Sequence, residues 1–255
     1  MTTPREVRFP GRGRALVSAD ADAAARLCAE RFAEAAREAV ERRGRFAAAL
    51  AGGGTPRRAY ALLGEAPLAG EVPWEAVHLF WGDERCVPPE HPRSNYRMAR
   101  EALLSRVPIP EANVHRVRGE RGRERAAAAY ERELREAFGG GVPRFDRVHL
   151  GLGGDGHTAS LFPYDPSLLE RRRLAVGALH DGEGRVTLAV PVLDAAAGVE
   201  FLVTGEDKAQ RVADVLERSP DPVRIPAQFV RPAAGEPVWI LDEAAASRLR
   251  GTAAE

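Results

Sequence analysis

Short apolar runs recur along this chain, and each is followed by a stretch with helical periodicity. Phe46–Ala51, Val77–Trp81 and Glu200–Thr204 are mostly apolar on both strand faces. Strands of that kind need cover on both sides, which is the habit of parallel sheets in α/β proteins. Arg14–Ser18, Arg147–Leu152, Leu174–Ala178, Val186–Val190 and Val238–Leu241 complete the expected strands. Between them, Asp20–Arg43 predicts a long Ala-rich amphipathic helix, with Ala24, Leu27, Phe32, Ala35 and Ala39 at helical spacing and Asp20 as its cap. Thr55–Leu63, Ser94–Leu104, Glu120–Phe138, Glu206–Glu217 and Glu243–Arg250 predict further helices. The alternation implies an α/β fold: a mostly parallel sheet with helices on both faces. Residues 1–13, rich in Pro, Gly and Arg, are expected to be loosely ordered, and 14–250 to form a single domain.

Composition removes several classes of function. Lys plus Arg and Asp plus Glu both number 37, so a general nucleic-acid binder, which needs a basic excess, is not expected. No apolar run approaches the ~20 residues that span a bilayer, so no membrane partner is expected. Cys28 and Cys86 are the only cysteines and do not form a metal-type cluster, and no secretory pattern opens the sequence. A cytoplasmic protein without metal or cofactor, acting on a small molecule as a monomer or small homo-oligomer, is the expectation. Lys208 is the only lysine in a chain that otherwise uses arginine. A compact ammonium differs from the planar guanidinium, and this one follows a strand-to-Gly turn.

The chemistry concentrates in Phe145–Pro163, FDRVHLGLGGDGHTASLFP. An apolar strand runs into glycines, then Asp155 and His157, then a helix-like start at Thr158. A carboxylate and an imidazole two residues apart, at the carboxyl end of a strand, stand where open α/β sheets place ligands, and histidine is suited to proton transfer near neutral pH. Gly52-Gly53-Gly54-Thr55-Pro56 is a second strand-to-helix turn. Its free N–H groups and the helix dipole predict an anion site suited to a single sugar phosphate, with Thr55 as cap. The turn is neither a Walker loop nor a dinucleotide fingerprint. Asp83, Glu84 and Arg85 end a third strand. Of such consecutive charges, one is expected to be structural and one to face substrate. Arg93-Ser94-Asn95-Tyr96 adds polar groups at a helix start.

Taken in order, GGGTP, FWGDER with VP and SNY, LGLGGDGHTASLFP, the RVTL strand and FLVTGEDK resemble the glucosamine-6-phosphate isomerase/6-phosphogluconolactonase family, and its lactonase members in particular. The likeness runs from about Ala15 to Leu249. It implies a modified Rossmann-like fold and a metal-independent hydrolase that opens 6-phosphoglucono-1,5-lactone in the oxidative pentose phosphate pathway. On that reading neutral His157 takes a proton from water and returns it to the ring oxygen. Asp155 orients His157 or bonds a sugar hydroxyl. Arg85 and the N–H groups around Gly153 and Gly154 contact an oxyanion or hydroxyl, and Asp83 bonds substrate or holds Arg85. Gly53, Gly54, Thr55, Arg185 and Lys208 form the phosphate site, with Arg93 and Arg171–Arg173 as weaker candidates.

Two other functions fit less well. A deaminase of the same fold continues after its DGH with an Asn-Glu pair and carries an aromatic after Asp-Glu, whereas this chain has Thr158-Ala159 and Arg85. A sugar-phosphate sensor usually carries a helix-turn-helix, for which the dozen residues before the first expected strand leave no room, and it has no need of His157.

Overall fold

The computed structural model describes residues 3–250. The chain begins with strands β1 (Arg5–Phe9) and β2 (Gly13–Ser18), then helix α1 (Ala21–Arg43), β3 (Phe46–Leu50), α2 (Gly54–Leu63) and the single turn α3 (Leu68–Glu71). Strands β4 (Val77–Trp81) and β5 (Asp83–Arg85) lead to α4 (Asn95–Ala102) and α5 (Arg123–Phe138). Strand β6 (Arg147–Leu150), the hairpin β7 (Ala175–His180) and β8 (Glu183–Leu188), α6 (Val190–Asp194), β9 (Val199–Val203), α7 (Ala209–Glu217), β10 (Val238–Asp242) and α8 (Glu243–Ala246) complete the order.

Seven strands form one sheet in the order β1-β2-β10-β9-β6-β3-β4. Every pairing in it is parallel except β1 with β2. Successive strand residues face opposite sides, and every residue of β3, β9 and β10 is buried, so the sheet is covered on both faces. Helix α1 packs along β10, β3, β2 and β9. Its buried stripe is mostly alanine (Ala24, Ala25, Ala29, Ala33, Ala36, Ala39), broken by Cys28 and Phe32, and small side chains allow a close approach to the sheet. Asp20 caps α1 by accepting from Ala23 N–H at 2.8 Å, a contact commonly worth about 1 kcal/mol. Gly44 ends it in the left-handed conformation, φ 70°.

Several expectations need correction. Residues 5–9 are not loosely ordered: β1 pairs antiparallel with β2 and buries Val7 and Phe9. Met1 and Thr2 lie outside the described residues. Thr158 starts no helix; residues 151–165 form turns, with an isolated bridge between Thr158 and Leu161. Helix α5 begins at Arg123, after Gly122 at φ 80°, rather than at Glu120, and α8 stops at Ala246. The charged cluster is itself strand β5, which pairs with β8 in a second, antiparallel sheet, β5-β8-β7. Among the described residues no helix is long and apolar enough to cross a membrane.

Candidate active site

Because β3, β4, β6 and β9 run parallel, their carboxyl ends share one edge of the sheet. The turns leaving them bring distant segments to a cavity of about 290 Å³. Gly52 and Gly53 follow β3, Gly82 and Asp83 follow β4, Gly151 to Gly153 and His157 follow β6, and Lys208 follows β9; Arg85, Asn95 and Ala159 complete much of the wall. A larger groove of about 1020 Å³ beside Phe9, Leu216 and Arg248 shares none of these residues. The smaller cavity is where acid, base and cation converge.

Asp155 and His157 form a direct pair. Asp155 Oδ1 lies 2.6 Å from His157 Nδ1 and accepts the His157 backbone N–H at 3.0 Å. Burial pushes the Asp155 carboxyl up, but the His157 side-chain and backbone hydrogen bonds outweigh it and hold the pKa at about 2. An ionised carboxylate can only accept, so Nδ1 carries a proton, and in the neutral ring Nε2 presents its lone pair. The pair's turn is tight. Gly153 N–H donates to His157 O at 2.8 Å, so this amide is committed within the loop and is not a substrate contact as the sequence suggested. Ala159 adopts φ 48°, a left-handed conformation that non-glycine residues rarely accept outside constrained sites. Phe162 packs on the His157 ring at 4.8 Å.

A carboxyl titration of Asp155 should find its midpoint near 2, against the ordinary 3.8. Its pKa is depressed in the folded state. Its stabilisation is therefore complete above the unfolded value and is lost as pH falls through about 2. In His157→Ala the midpoint should rise toward the ordinary value. A midpoint unmoved by that change would mean that His157 is not what holds the charge.

The Asp83–Arg85 segment divides its labour. Glu84 is buried and structural: it accepts the N–H groups of Asn95 (2.7 Å), Tyr96 (2.8 Å) and Arg85 (2.8 Å) and the Ser94 hydroxyl (3.1 Å). It thereby anchors the α4 N-terminus. Burial still pushes its carboxyl up against those bonds. Asp83 accepts from Ser160 Oγ at 2.6 Å and Asn95 Nδ2 at 3.2 Å. Arg85 is held by Arg93 O (2.8 Å) and Asn95 Oδ1 (2.6 Å), and no hydrogen bond joins it to Asp83 among the described residues. Ser160 and Thr187, which meet behind Asp83, had no signature in the sequence beyond their polarity.

The expected phosphate group is only partly assembled. Gly53, at φ 103°, is the N-cap of α2. Thr55 does not cap; its hydroxyl faces Thr204 Oγ1 at 3.1 Å. Among the described residues the N–H groups of Gly52, Gly53 and Gly54 donate to no protein acceptor, as expected of a helix start open to an anion. Lys208 Nζ lies 3.3 Å from exposed Asp207 and lines the cavity. Gly54, Thr55 and Arg185 are not in the wall. Arg185 stands opposite Arg85 in the β5–β8 register and pairs with Glu183 at 3.0 Å. Burial, then the Arg85 charge, pushes its guanidinium below its ordinary value. Arg93 also pairs with Glu183. Arg173 pairs with Glu131, and Arg171 bonds backbone carbonyls at Leu168 and Glu170.

One buried trio, Cys28, His149 and Glu200, could offer three ligand atoms to a metal. Glu200 Oε1 already lies 2.7 Å from Arg31 and 3.0 Å from Arg147, so two guanidinium charges oppose a cation there. The trio reads as a buried ion-pair network.

The profile of the glucosamine-6-phosphate isomerases/6-phosphogluconolactonase family matches residues 19–239. This chain belongs to that family. A 6-phosphogluconolactonase from Synechocystis sp. is 43% identical over 217 residues, 84% of this chain and 88% of the relative. The Homo sapiens 6-phosphogluconolactonase is 42% identical over 219 residues, 81% of this chain and 82% of the relative. The solved 6-phosphogluconolactonase from Trypanosoma brucei superposes with a TM-score of 0.81 at 30% identity, covering 95% of this chain and 100% of that one. In this family member, then, the Gly-rich turns, the Asp155–His157 pair and Lys208 meet at one sheet edge.

Proposed function

We propose that this chain hydrolyses 6-phospho-D-glucono-1,5-lactone to 6-phospho-D-gluconate. The carrying observation is His157, paired with Asp155 and with Nε2 left as a base, in one cavity with an open helix start and the sole lysine. The names of the relatives support the same substrate.

In the proposed mechanism His157 Nε2 removes a proton from a water attacking C1. The imidazolium, stabilised by Asp155, then delivers the proton to the ring oxygen as the C1–O bond breaks. The cavity wall offers no Ser or Cys hydrogen-bonded to His157 among the described residues, so direct water attack needs the fewest groups. Arg85 and Asn95, locked to each other, present charge and polarity to the lactone oxygens. Asp83, fixed by Ser160, is placed to accept from a sugar hydroxyl. The free N–H groups of the 52–54 turn, of which Gly52 and Gly53 line the cavity, and the Lys208 ammonium bind the phosphate. Arg185, opposite Arg85 in the β5–β8 register, adds a second positive charge beside the cavity. The family's role in the oxidative pentose phosphate pathway and a cytoplasmic setting belong to the same reading, with Cys28 and Cys86 both unpaired.

The test is a coupled assay at about pH 7 and low temperature, where spontaneous lactone opening is slow. A dehydrogenase generates the lactone and 6-phosphogluconate dehydrogenase reports free acid. Acceleration well above the uncatalysed rate is expected. None, together with ammonia release from glucosamine-6-phosphate, would move the chain to the family's other reaction.

Lys208→Ala should raise KM for the phosphorylated lactone about 10- to 100-fold, since charge-assisted contacts are the strong ones, and change kcat little. It should also erode the preference over unphosphorylated lactone. An unchanged preference would take Lys208 off the phosphate.

A further inference from the structure

A buried polar chain that the mechanism does not use ends on the anion-binding turn. Ala51 opens that turn, and its N–H donates to the Tyr60 hydroxyl at 2.9 Å. Tyr60, fully buried on α2, meets His149 Nδ1 through the same hydroxyl at 3.4 Å. The two rings stack with centroids 5.9 Å apart and planes 11° apart. His149 and Glu200 are neighbours across β6 and β9, with His149 Nε2 3.6 Å from Glu200 Oε2, a charge contact beyond hydrogen-bond reach, while the same Nε2 meets Cys28 Sγ at 3.8 Å. Glu200 has no exposed surface, and its other oxygen takes Arg31 and Arg147.

An apolar core would avoid the desolvation cost of burying a carboxylate, an imidazole and a phenol together. What this arrangement provides is a fixed acceptor for one backbone N–H at the start of the turn. Asn95 lies close against the other side of the same turn, where a Cβ at Gly52 would fall 1.9 Å from Asn95 Oδ1. Asn95 therefore leaves no room for a side chain at Gly52.

We propose that Glu200, His149 and Tyr60 are positioning residues that fix the 51–54 turn at the height where its free N–H groups meet the substrate phosphate. They set affinity for the phosphorylated substrate rather than the rate of the chemical step, because the Asp155–His157 pair is held by contacts within its own loop. This inference rests on the proposed lactonase reading and its phosphate site.

Tyr60→Phe keeps the ring and removes only the hydroxyl, which accepts from Ala51 N–H and meets His149 Nδ1. KM for 6-phosphogluconolactone should rise about 3- to 30-fold, the scale set by losing the partner of a buried N–H, with kcat held within about twofold. KM for unphosphorylated glucono-1,5-lactone should not move. Glu200→Gln should shift the same KM in the same direction, and the double variant should fall clearly short of the combined effect of the singles, because both act along one chain. If Tyr60→Phe does not fold, Glu200→Gln alone carries the comparison on the same criteria. A lowered melting temperature with unchanged discrimination between the two lactones would make the chain merely structural and overturn the proposal. So would an equal rise in KM for both lactones. A wild-type enzyme that does not discriminate between them would instead remove the phosphate reading itself, and the positioning role with it.

Discussion

Replacing His157 with alanine is expected to lower kcat by about 10²–10⁴ while KM stays within about threefold. The reason lies in when the side chain acts. Nε2 accepts a proton only as the water attacks, so its removal costs transition-state stabilisation and leaves ground-state contacts in place. The cation, the free N–H groups and Asp83 are all supplied by other segments. Steady-state kinetics on purified variant, corrected for spontaneous opening, measure this directly. A rise in KM with kcat intact would recast His157 as a binding residue and leave the base unassigned.

Gly153→Ala is expected to have an effect of similar size, although the substitution adds a single methyl group. A Cβ there would lie 2.1 Å from His157 Nδ1 and 2.7 Å from Asp155 Oδ1. Neither distance is tolerable, so the pair must separate or swing out of the cavity. A misplacement of about 1 Å in a reacting group can cost about 10²-fold, so kcat should fall by at least about that factor. The fold should persist, because the added methyl meets a partly exposed loop pair rather than the core; overpacking of this kind costs about 1–3 kcal/mol. Gly154→Ala is the control: a Cβ there meets no atom within 4 Å, and activity should stay near wild type. Circular-dichroism melts alongside the kinetics separate misplacement from unfolding. A fully active Gly153→Ala would mean that the Asp155–His157 pair is not the working arrangement.

Periodicity carried most of the fold. Apolar runs such as FAAAL and EFLV fill both faces of β3 and β9, and a strand buried on both sides has few alternatives to a parallel, covered sheet. Asp20 announces the start of α1 by backbone chemistry that local sequence determines, and the structure ends the helix at Gly44 in the left-handed conformation. Elements whose stability comes from remote partners were harder to see. Strand β5 is three charged residues and exists because β8 pairs with it. Strand β1 lies in a Pro- and Gly-rich stretch and is ordered by β2, with Val7 and Phe9 supplying the buried contacts. The apparent helix start at Thr158 fails because its hydroxyl is drawn to Gly151 O at 2.8 Å, which closes the loop on itself.

By itself the sequence determined the α/β class, the glycine turns that end the strands, and the spacing that makes Asp155 and His157 neighbours. Those features depend on steric rules and hydrogen-bond capacity acting over a few residues. Only the tertiary structure decided which charges work together. It gave Glu84 to the start of α4, set Arg185 against Arg85 with Glu183 as its partner, turned Thr55 toward Thr204, and ran Glu200, His149 and Tyr60 beneath the anion turn. Tyr60 and His149, 89 residues apart, and Thr55 and Thr204, 149 apart, meet because parallel strands gather their carboxyl ends on one edge, and no local pattern specifies which side chains will share that edge.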